Sequence, residues 1–325
     1  MAGPAREYLH AGGVFAVLIV IGAALTIASP HFLTHTNLIN ILLQSATLSI
    51  IAAGLTIVLV TGEIDLSIAS VQALAGTIAA ILIIQHGLPI VVGIAGALGV
   101  GILTGAINGY LTVFAKVPSF IVTLASFGIL QGIALLLTNA QPVAGFPEAY
   151  AVIGQDKIAG IPVPVVLAGA VYCVMHFVLS KTRFGVDLYA IGGGRRAAEL
   201  TGIRVGRALI LAFCLSGLLA GLAGVILSSR LDAGSGTFGV NDLLTAVAAV
   251  VIGGTSLVGG TGTVIGTLGG VLLITTIGNG LILLNVTQFW QQIVVGLVLV
   301  AAVLIDQVVR GRVRLRDLVP RRSAW

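Results

Sequence analysis

Two carboxylates interrupt a long apolar stretch of the chain and are the first candidates for chemistry. Glu63 and Asp65 lie in the segment 62–67, and apolar runs flank this segment over residues 38–84. If the flanking runs cross a membrane, carboxylates between them are costly and by default suggest a function. The alternative is a turn between two spans, in which Asp65 or Ser67 caps the following helix. The sequence leaves both interpretations open.

Uncharged polar residues form a second candidate site. Asn37, Asn40, Gln44 and Thr47 are spaced so that they form one stripe on a helix. Amides and hydroxyls that line a cavity suit a neutral, hydroxyl-rich solute. The alternative is hydrogen bonding between helices. Other apolar segments contribute further candidates for the solute pathway: Gln72, Asn108, Ser126 and Asn279.

A polar loop supplies a third candidate, a docking segment. After the run Gly192–Gly194 come Arg196, Ala197, Ala198, Glu199, Leu200, Thr201, Gly202 and Ile203. Glycines followed by helix formers predict a hinge and a short helix, which Gly202 ends. Leu200 and Ile203 offer apolar contacts, so the helix suits docking to a soluble partner. The alternative is a solvated loop.

Glycines are concentrated in a fourth segment, residues 253–262. So much glycine beside a membrane implies close backbone approach or a break in a helix, which is tolerated only where protein or a water-filled cavity covers it. The spacing Gly62, Leu66, Val71, Gly76 is weakly repeated from Gly253 onward, with a two-residue insertion. Because transporters often contain internal repeats, we expect a weak repeat here.

Several kinds of chemistry have no residues to support them. No phosphate-binding G-x-x-x-x-G-K-[ST] loop occurs, so the chain is not expected to hydrolyse ATP by itself. The histidines are dispersed, and Cys173 and Cys214 fall inside apolar runs, so we predict no metal site and no disulfide. No paired nucleophile and base is recognisable, so we predict that the chain is not an enzyme.

The composition identifies the elements that must position these residues. The 325 residues are 58% apolar and 8% charged, with a mean hydropathy of +1.14. A soluble domain carries about 25% charged residues. A spanning helix needs roughly 20 apolar residues, so the chain has room for about ten. We therefore predict a single all-α polytopic membrane domain over residues 1–325.

The predicted spans and the positive charges fix an orientation. The spans are 13–28, 38–60, 66–84, 89–114, 120–137, 161–179, 208–227, 243–253, 264–284 and 289–308, the eighth being short. With both termini cytoplasmic, 14 of the 16 Lys and Arg residues lie inside, as the positive-inside rule requires. Most belong to the loop 181–207 and the tail 309–325, so topology explains the basic charge and nucleic acid is not an expected partner.

At the segments 62–67, 196–203 and 253–262 described above, the chain resembles the membrane-spanning permease of a bacterial ABC importer. The resemblance is to the branch that includes the ribose, xylose, arabinose and galactose permeases. The G-G-I-D-L-S-V-G-S signature of that family is matched at residues 62–70. Ala197, Ala198, Gly202 and Ile203 match its N-x-x-A-A-x-x-x-G-I segment, and residues 253–262 and 279–281 match its late glycine-rich and N-G-L segments. The resemblance covers nearly the whole chain.

The resemblance implies function and partners. It implies a permease that imports a small neutral hydroxylated solute, such as a monosaccharide or polyol, across the bacterial inner membrane. Two permease copies, or one and a paralogue, would form the pathway. ATPase subunits holding ATP and Mg would dock at Arg196–Ile203, an extracytoplasmic binding protein would deliver solute, and this chain would need no cofactor.

The sequence departs from the pattern of this family at three positions. Glu63 and Ala69 replace glycines, and Arg196 replaces a usual acidic residue. Glu63 is expected either to alter solute preference or to occupy a turn, and Arg196 implies an acidic patch on the ATPase.

The alternative to an ATP-driven importer is an ion-coupled secondary transporter of a small polar solute. Such a transporter would need an intramembrane relay of acidic groups or His.

Overall fold

The computed structural model describes residues 4–309, and within this range the chain forms 13 α-helices and four two-residue strands. The helices are α1 Pro4–Ala28, α2 His35–Val60, α3 Ile68–Ala80, α4 Ile90–Val113, α5 Ser119–Thr138, α6 Glu148–Gln155, α7 Val163–Lys181, α8 Arg183–Gly193, α9 Arg195–Leu200, α10 Val205–Leu231, α11 Asp242–Ile252, α12 Val264–Leu283 and α13 Gln288–Val309. A π-helical turn, Ile81–Gln85, extends α3. The strands are β1 Val143–Ala144, β2 Lys157–Ile158, β3 Ile161–Pro162 and β4 Ala233–Gly234.

A helix occupies each of the ten segments predicted to span a membrane. Within the described range, seven are long and apolar enough to cross: α2, α3 with its π-helical turn, α4, α5, α7, α10 and α12. The apolar parts of α1, α11 and α13 are shorter, and α11 has only 11 residues. The prediction of an all-α polytopic membrane protein is therefore confirmed. The predicted basic tail, from residue 310 onward, lies outside the described residues.

The centre of the bundle is α10, which packs against α2, α3 and α4. Where α10 crosses α4, Gly217 and Gly101 face each other, and a Cβ on either residue would overlap the backbone carbonyl of the other. Small residues let membrane helices approach closely, and packing between them replaces the hydrophobic effect as the source of stability. Part of the high glycine content is thus used to build this helix contact.

Helices α2 and α12 run antiparallel, which brings two breaks in the bundle together. The hydroxyl groups of Thr56 and Thr267 are 2.7 Å apart, near the end of α2 and the start of α12. At the same end, the 61–67 break between α2 and α3 meets the 253–263 break between α11 and α12. There the Gly260 amide donates a hydrogen bond of 2.8 Å to the Val60 carbonyl oxygen. The predicted close approach of backbone at the glycine-rich segment is observed. The internal repeat stays a prediction.

The opposite end of the bundle carries the small strands and α6. Strand β1 pairs antiparallel with β4, and β2 with β3. Tyr150 of α6 is fully buried and stacks on Phe146, and its hydroxyl lies 2.8 Å from that of Ser228 on α10. These contacts fix the end of α10, from which the chain continues into the connection that leads to α11.

The connection 232–241 folds back along α3 before α11 begins. A Cβ on Gly234 would overlap the backbone of Gly76, and one on Gly239 would contact the side-chain amide of Gln72, which lies lower on α3. The connection therefore descends beside α3 and starts α11 inside the bundle. This explains why α11 is short: non-helical backbone, mostly turns, takes the place of its first helical turns, covered on one side by protein as irregular backbone at membrane depth must be.

Candidate functional site

Asp65 organises the turn that the sequence analysis singled out. It is 1% exposed, and its Oδ1 accepts hydrogen bonds from the Ser67 amide (3.0 Å) and the Ser67 hydroxyl (2.6 Å). The Ser216 hydroxyl of α10 donates to Oδ2 at 2.8 Å. Burial raises the pKa of the Asp65 carboxyl, and these hydrogen bonds lower it in part. Asp65 thus ties the start of α3, at Ile68, to α10. Ser67 precedes the helix, but its own side chain does not cap it.

Two of the predicted pathway residues belong to this same network. Asn108 of α4 donates from Nδ2 to the Ser67 hydroxyl at 3.0 Å. The Ser126 hydroxyl of α5 donates to Asn108 Oδ1 at 2.6 Å. Asn108 is fully buried, and each of its amide atoms has a protein partner. In this structure these side chains hydrogen-bond between helices, which was the alternative interpretation of the polar residues.

Glu63, the departure from the family pattern, contacts the docking segment. Its Oε1 lies 3.3 Å from Nη1 of Arg195, and Arg195 also lies 3.9 Å from Glu199 through Nε. Arg195 is the first residue of α9. Glu63 therefore forms an ion pair between the short helix α9 and the break 61–67, which begins the family signature and is called the signature turn below. Of the two expectations for Glu63, the structure favours a place in a turn over a role in solute preference.

The docking segment consists of the end of α8 and the short helix α9, and its glycines do not form an open hinge. Gly192 and Gly193 lie in the last turn of α8, so the expected hinge is helical there. Gly192 packs directly against the Val60 carbonyl oxygen and the Gly260 amide. The short helix is Arg195–Leu200, and it therefore lies between these glycines and Gly202 as predicted. The predicted left-handed stop is observed, since Gly202 has φ +85°.

The residues of the docking segment divide into an inward and an outward set. Ala198 is 3% exposed and packs in the main core, and Ile203 is partly buried against it. Leu200 is 83% exposed. The other predicted coupling residues are exposed: Arg196, Ala197, Glu199 and Gly202. Ala198 therefore positions the helix, and Leu200 is the apolar side chain that a partner can reach.

The polar stripe on α2 has two halves with different surroundings. Asn37 donates from Nδ2 to Asn279 Oδ1 at 2.9 Å, and Asn279 returns the bond at 2.8 Å, both side chains being buried. Asn40 is exposed and does not line the cavity described below. Gln44 and Thr47 do line it. The structure brings together only the second half of the stripe around a space that a solute can enter.

Replacing Asn279 with leucine should lower the temperature at which the protein unfolds in detergent. Buried Asn37 would keep its bond to the Phe32 carbonyl but lose both hydrogen bonds to Asn279. An unsatisfied buried polar group costs about 1–3 kcal/mol. Uptake per folded molecule should stay normal, since the pair is packing. Asn40→Leu is the control and should leave the unfolding temperature unchanged. Equal unfolding temperatures for both variants and the unmodified protein would show that the amide pair contributes nothing.

A cavity of about 890 Å³ lies between α2, α5, the end of α10, the connection 232–241, α11, α12 and α13. Small-molecule sites span roughly 300–1,000 Å³ and are mostly apolar with a few placed polar groups. Apolar walls come from α12 and α13. The polar lining consists of Gln44, Thr47, Arg230, Thr237, Asn241, Asp242, Thr245, Thr275, Gln291 and Gln292. The size of this cavity and its mixed lining suit a small polar solute.

Two charged residues that were not among the predicted pathway residues, Arg230 and Asp242, also line this cavity. The prediction of an uncharged solute pathway stays a prediction. Gln72, a predicted pathway residue, lies behind the cavity and donates from Nε2 to Asp242 Oδ2 at 3.3 Å. The available signal was an acidic residue at the start of an unusually short apolar segment, which is typical of a helix broken at a binding site. Among the described residues, no group of three or more His, Cys, Asp or Glu could hold a metal ion.

Comparison with known proteins gives consistent results. The family described as "branched-chain amino acid transport system / permease component" matches residues 37–303. The ribose import permease protein of Haemophilus influenzae is 41% identical over 296 residues, which cover 90% of this chain and 91% of that protein. The ribose import permease protein of Bacillus subtilis is 41% identical over 91% and 92% of the two chains. The L-arabinose ABC transporter permease protein of Azospirillum brasilense is 37% identical over 96% and 92%. No solved structure matches.

Proposed function

Because the chain belongs to the ABC-importer permease family, as its motifs predicted, we propose that it carries a neutral monosaccharide inward across the membrane. The observation that carries this proposal is the identity of about 40% with ribose import permeases along nine-tenths of the chain. The cavity, with its apolar walls and placed polar groups, supports the same solute class. A pentose is the first candidate, since the relatives are named for ribose, arabinose and xylose.

The proposed transporter contains further chains. ABC ATPase subunits bind ATP and Mg and dock on the surface that presents Leu200 and Arg196. A solute-binding protein delivers the sugar at the opposite end of the bundle, near α6 and the small strands. Two permease chains, identical or paralogous, complete the pathway. The permease itself carries out no reaction, and free energy reaches it through the mechanical contact at α9.

The proposed location is the bacterial inner membrane, with both termini and the loop 181–207 in the cytoplasm and ten helices inserted. In a background without the native cysteines, Lys157→Cys should react with a membrane-impermeant maleimide in spheroplasts. Leu200→Cys should react only after the membrane is opened, although Leu200 is 83% exposed. Mass spectrometry of the labelled protein measures both. Labelling at position 200 in sealed spheroplasts would reverse the proposed orientation.

Transport energetics separates this function from the ion-coupled alternative. We expect the chain to co-purify with an ATPase, and uptake of ribose, arabinose or xylose to stop when ATP is depleted. Uptake should continue when an uncoupler removes the ion gradient and ATP is supplied. Uptake that fails with the uncoupler and continues without ATP would show a secondary transporter. Absence of uptake for all three sugars would overturn the proposed solute class.

A further inference from the structure

The cavity contains two opposite charges in the part of the chain that lies among the membrane helices. Arg230 is in the last turn of α10, and Asp242 is the first residue of α11. Both line the cavity. Charged side chains at membrane depth are costly, and they are kept mostly where they face a water-filled cavity or a transported solute. Packing alone gives no reason to place two of them on the wall of one cavity.

The two charges keep hydrogen-bonding capacity that the protein does not use. Arg230 donates from Nη1 to the Leu43 carbonyl oxygen at 3.1 Å, which is the one hydrogen bond of its guanidinium to the described residues. Asp242 Oδ2 accepts the bond from Gln72, and its Oδ1 has no hydrogen-bond donor among the described residues. No ion pair within 4.0 Å joins Arg230 to Asp242 in that part of the chain. The other N–H groups of Arg230 and one oxygen of Asp242 are therefore available to a ligand.

The surroundings restrict what that ligand can be. Gln72 Oε1 is buried without a partner among the described residues, so the amide behind the wall is also incompletely satisfied. Gln44 and Asn241 add uncharged donors and acceptors, and Phe127 and Phe238 add apolar surface. A carboxylate accepts hydrogen bonds only, and a guanidinium donates them only, in a fixed fork. A neutral ligand with several adjacent hydroxyl groups can serve both, whereas an anion or a cation would be repelled by one of the two charges.

We propose that this cavity is a saccharide subsite of the permease itself, in which Asp242 accepts hydrogen bonds from adjacent sugar hydroxyls and Arg230 donates to sugar oxygens. The inference rests on the proposed function, and it adds that the permease as well as the delivering protein contacts the sugar during passage. The apolar walls of α12 and α13 and the two phenylalanines face the C–H surfaces of the ring. A lipid acyl chain is the competing occupant, and it would use the walls but neither charge.

The test uses the complete transporter in proteoliposomes and a sugar for which ATP-driven uptake has been established. Asp242→Asn and Arg230→Gln should each reduce uptake by about tenfold or more, because each removes a charge-assisted hydrogen bond to the sugar. Assembly with the ATPase should be unchanged. Lys116→Gln is the matched control, because Lys116 is exposed, lies outside the cavity in the connection between α4 and α5, and belongs to neither proposed docking surface; it should transport normally.

A labelling experiment keeps the inference testable if a variant assembles poorly. In a background without native cysteines, Thr237→Cys places a thiol on the exposed rim of the cavity. The transported sugar should slow its reaction with a maleimide, and Asp242→Asn should remove that protection. Normal uptake in both charge variants together with no protection would overturn the subsite and leave the sugar permease intact. Protection by added phosphatidylglycerol but not by sugar would assign the cavity to an acyl chain and would also overturn the subsite. Failure to find ATP-driven uptake of any sugar by the unmodified transporter, at the stage before these variants are made, would instead contradict the proposed function.

Discussion

Replacing Gly192 with alanine is expected to abolish ATP-coupled uptake, or to reduce it by at least about tenfold, because the residue has no room for a side chain. A Cβ at this position would overlap the Val60 carbonyl oxygen and contact the Gly260 amide. These two atoms form the hydrogen bond of 2.8 Å that joins the breaks between the membrane helices. Overpacking costs about 1–3 kcal/mol, and the strain can be relieved only by moving α8 away from that bond.

The size of the expected effect follows from what meets at Gly192. The signature turn contributes Gly62, the glycine-rich break contributes Gly259, and a Cβ on Gly259 would lie 2.6 Å from the Gly62 amide nitrogen and 3.0 Å from the Gly192 Cα. Three segments therefore touch through backbone atoms alone. Contacts between backbone atoms cannot be restored by a change of side-chain rotamer. A displacement of α8 must therefore either move both breaks as well or separate α8 from them.

Gly193→Ala provides the matched control for this prediction. The two glycines are neighbours in α8, yet no heavy atom lies within 4 Å of a Cβ on Gly193. Alanine favours a helix over glycine by about 1 kcal/mol, so this variant should fold and transport at least as well as the unmodified protein. Uptake and ATP hydrolysis are measured together in proteoliposomes, after gel filtration shows equal folded protein. If Gly192→Ala assembles, we expect ATP hydrolysis to continue without uptake. Equal uptake by the two variants would contradict the role of this contact.

The sequence predicted the helices and turns well because those features depend on local patterns. Runs of apolar residues specify membrane helices wherever they occur, and each of the ten predicted segments is helical. The left-handed conformation at Gly202 and the short length of α11 were also visible, since glycine after helix formers and a short apolar run are local signals. A turn at Asp65 was one of two interpretations that the sequence left open, and the bond of Asp65 to Ser216, which lies 151 residues away, was not predicted.

The sequence did not show which polar residues face a cavity and which face another helix. The helical period places Asn37, Asn40, Gln44 and Thr47 on one stripe, but it does not say what lies opposite each of them. Asn37 meets Asn279, 242 residues further along the chain, whereas Gln44 meets an open space. Only the packing of the whole bundle decides between these outcomes. A local signal pointed to Asp242, the acidic residue at the start of a short apolar segment, but its place on the cavity wall depends on the descent of the connection 232–241 into the bundle, which is a tertiary feature.

The burial of Ala198 is a further feature that the sequence did not show. Its match to the family segment suggested contact with the ATPase, but a helix of six residues turns one face to the protein and another to the solvent. Ala198 lies on the face that packs in the core, at 3% exposure, and Leu200 lies on the other. A charge at position 198 would therefore disturb the permease itself, and it cannot test the contact with a partner.

Replacing Leu200 with aspartate is accordingly the sharper test, and it is expected to weaken binding of the ATPase by at least about tenfold, equivalent to 1.4 kcal/mol. Leu200 is an apolar side chain, 83% exposed, at the end of a helix fixed by Ala198 and by the ion pair between Arg195 and Glu63. An exposed leucine on a helix that packs against the core suits insertion into an apolar pocket of a partner, and a carboxylate there would be buried without a partner. The helix itself should persist, because the Leu200 side chain makes few contacts within the chain.

The comparison variant for Leu200 is Ile158→Asp, which makes a similar change at an apolar residue 57% exposed in β2, at the other end of the bundle. Ile158→Asp should leave ATPase binding unchanged. Leu200→Met should preserve ATPase binding as well, because methionine is similar to leucine in size and polarity. Pull-down of the ATPase by each purified permease variant, followed by a titration of the retained amount, measures the effect. If Leu200→Asp retains the ATPase as well as Ile158→Asp does, the exposed face of α9 is not the docking surface. The ion pair to Glu63 would then serve only to hold the loop in place. The ATPase would have to contact another part of the loop 181–207. The next candidate would be the exposed side of α8 at Val186.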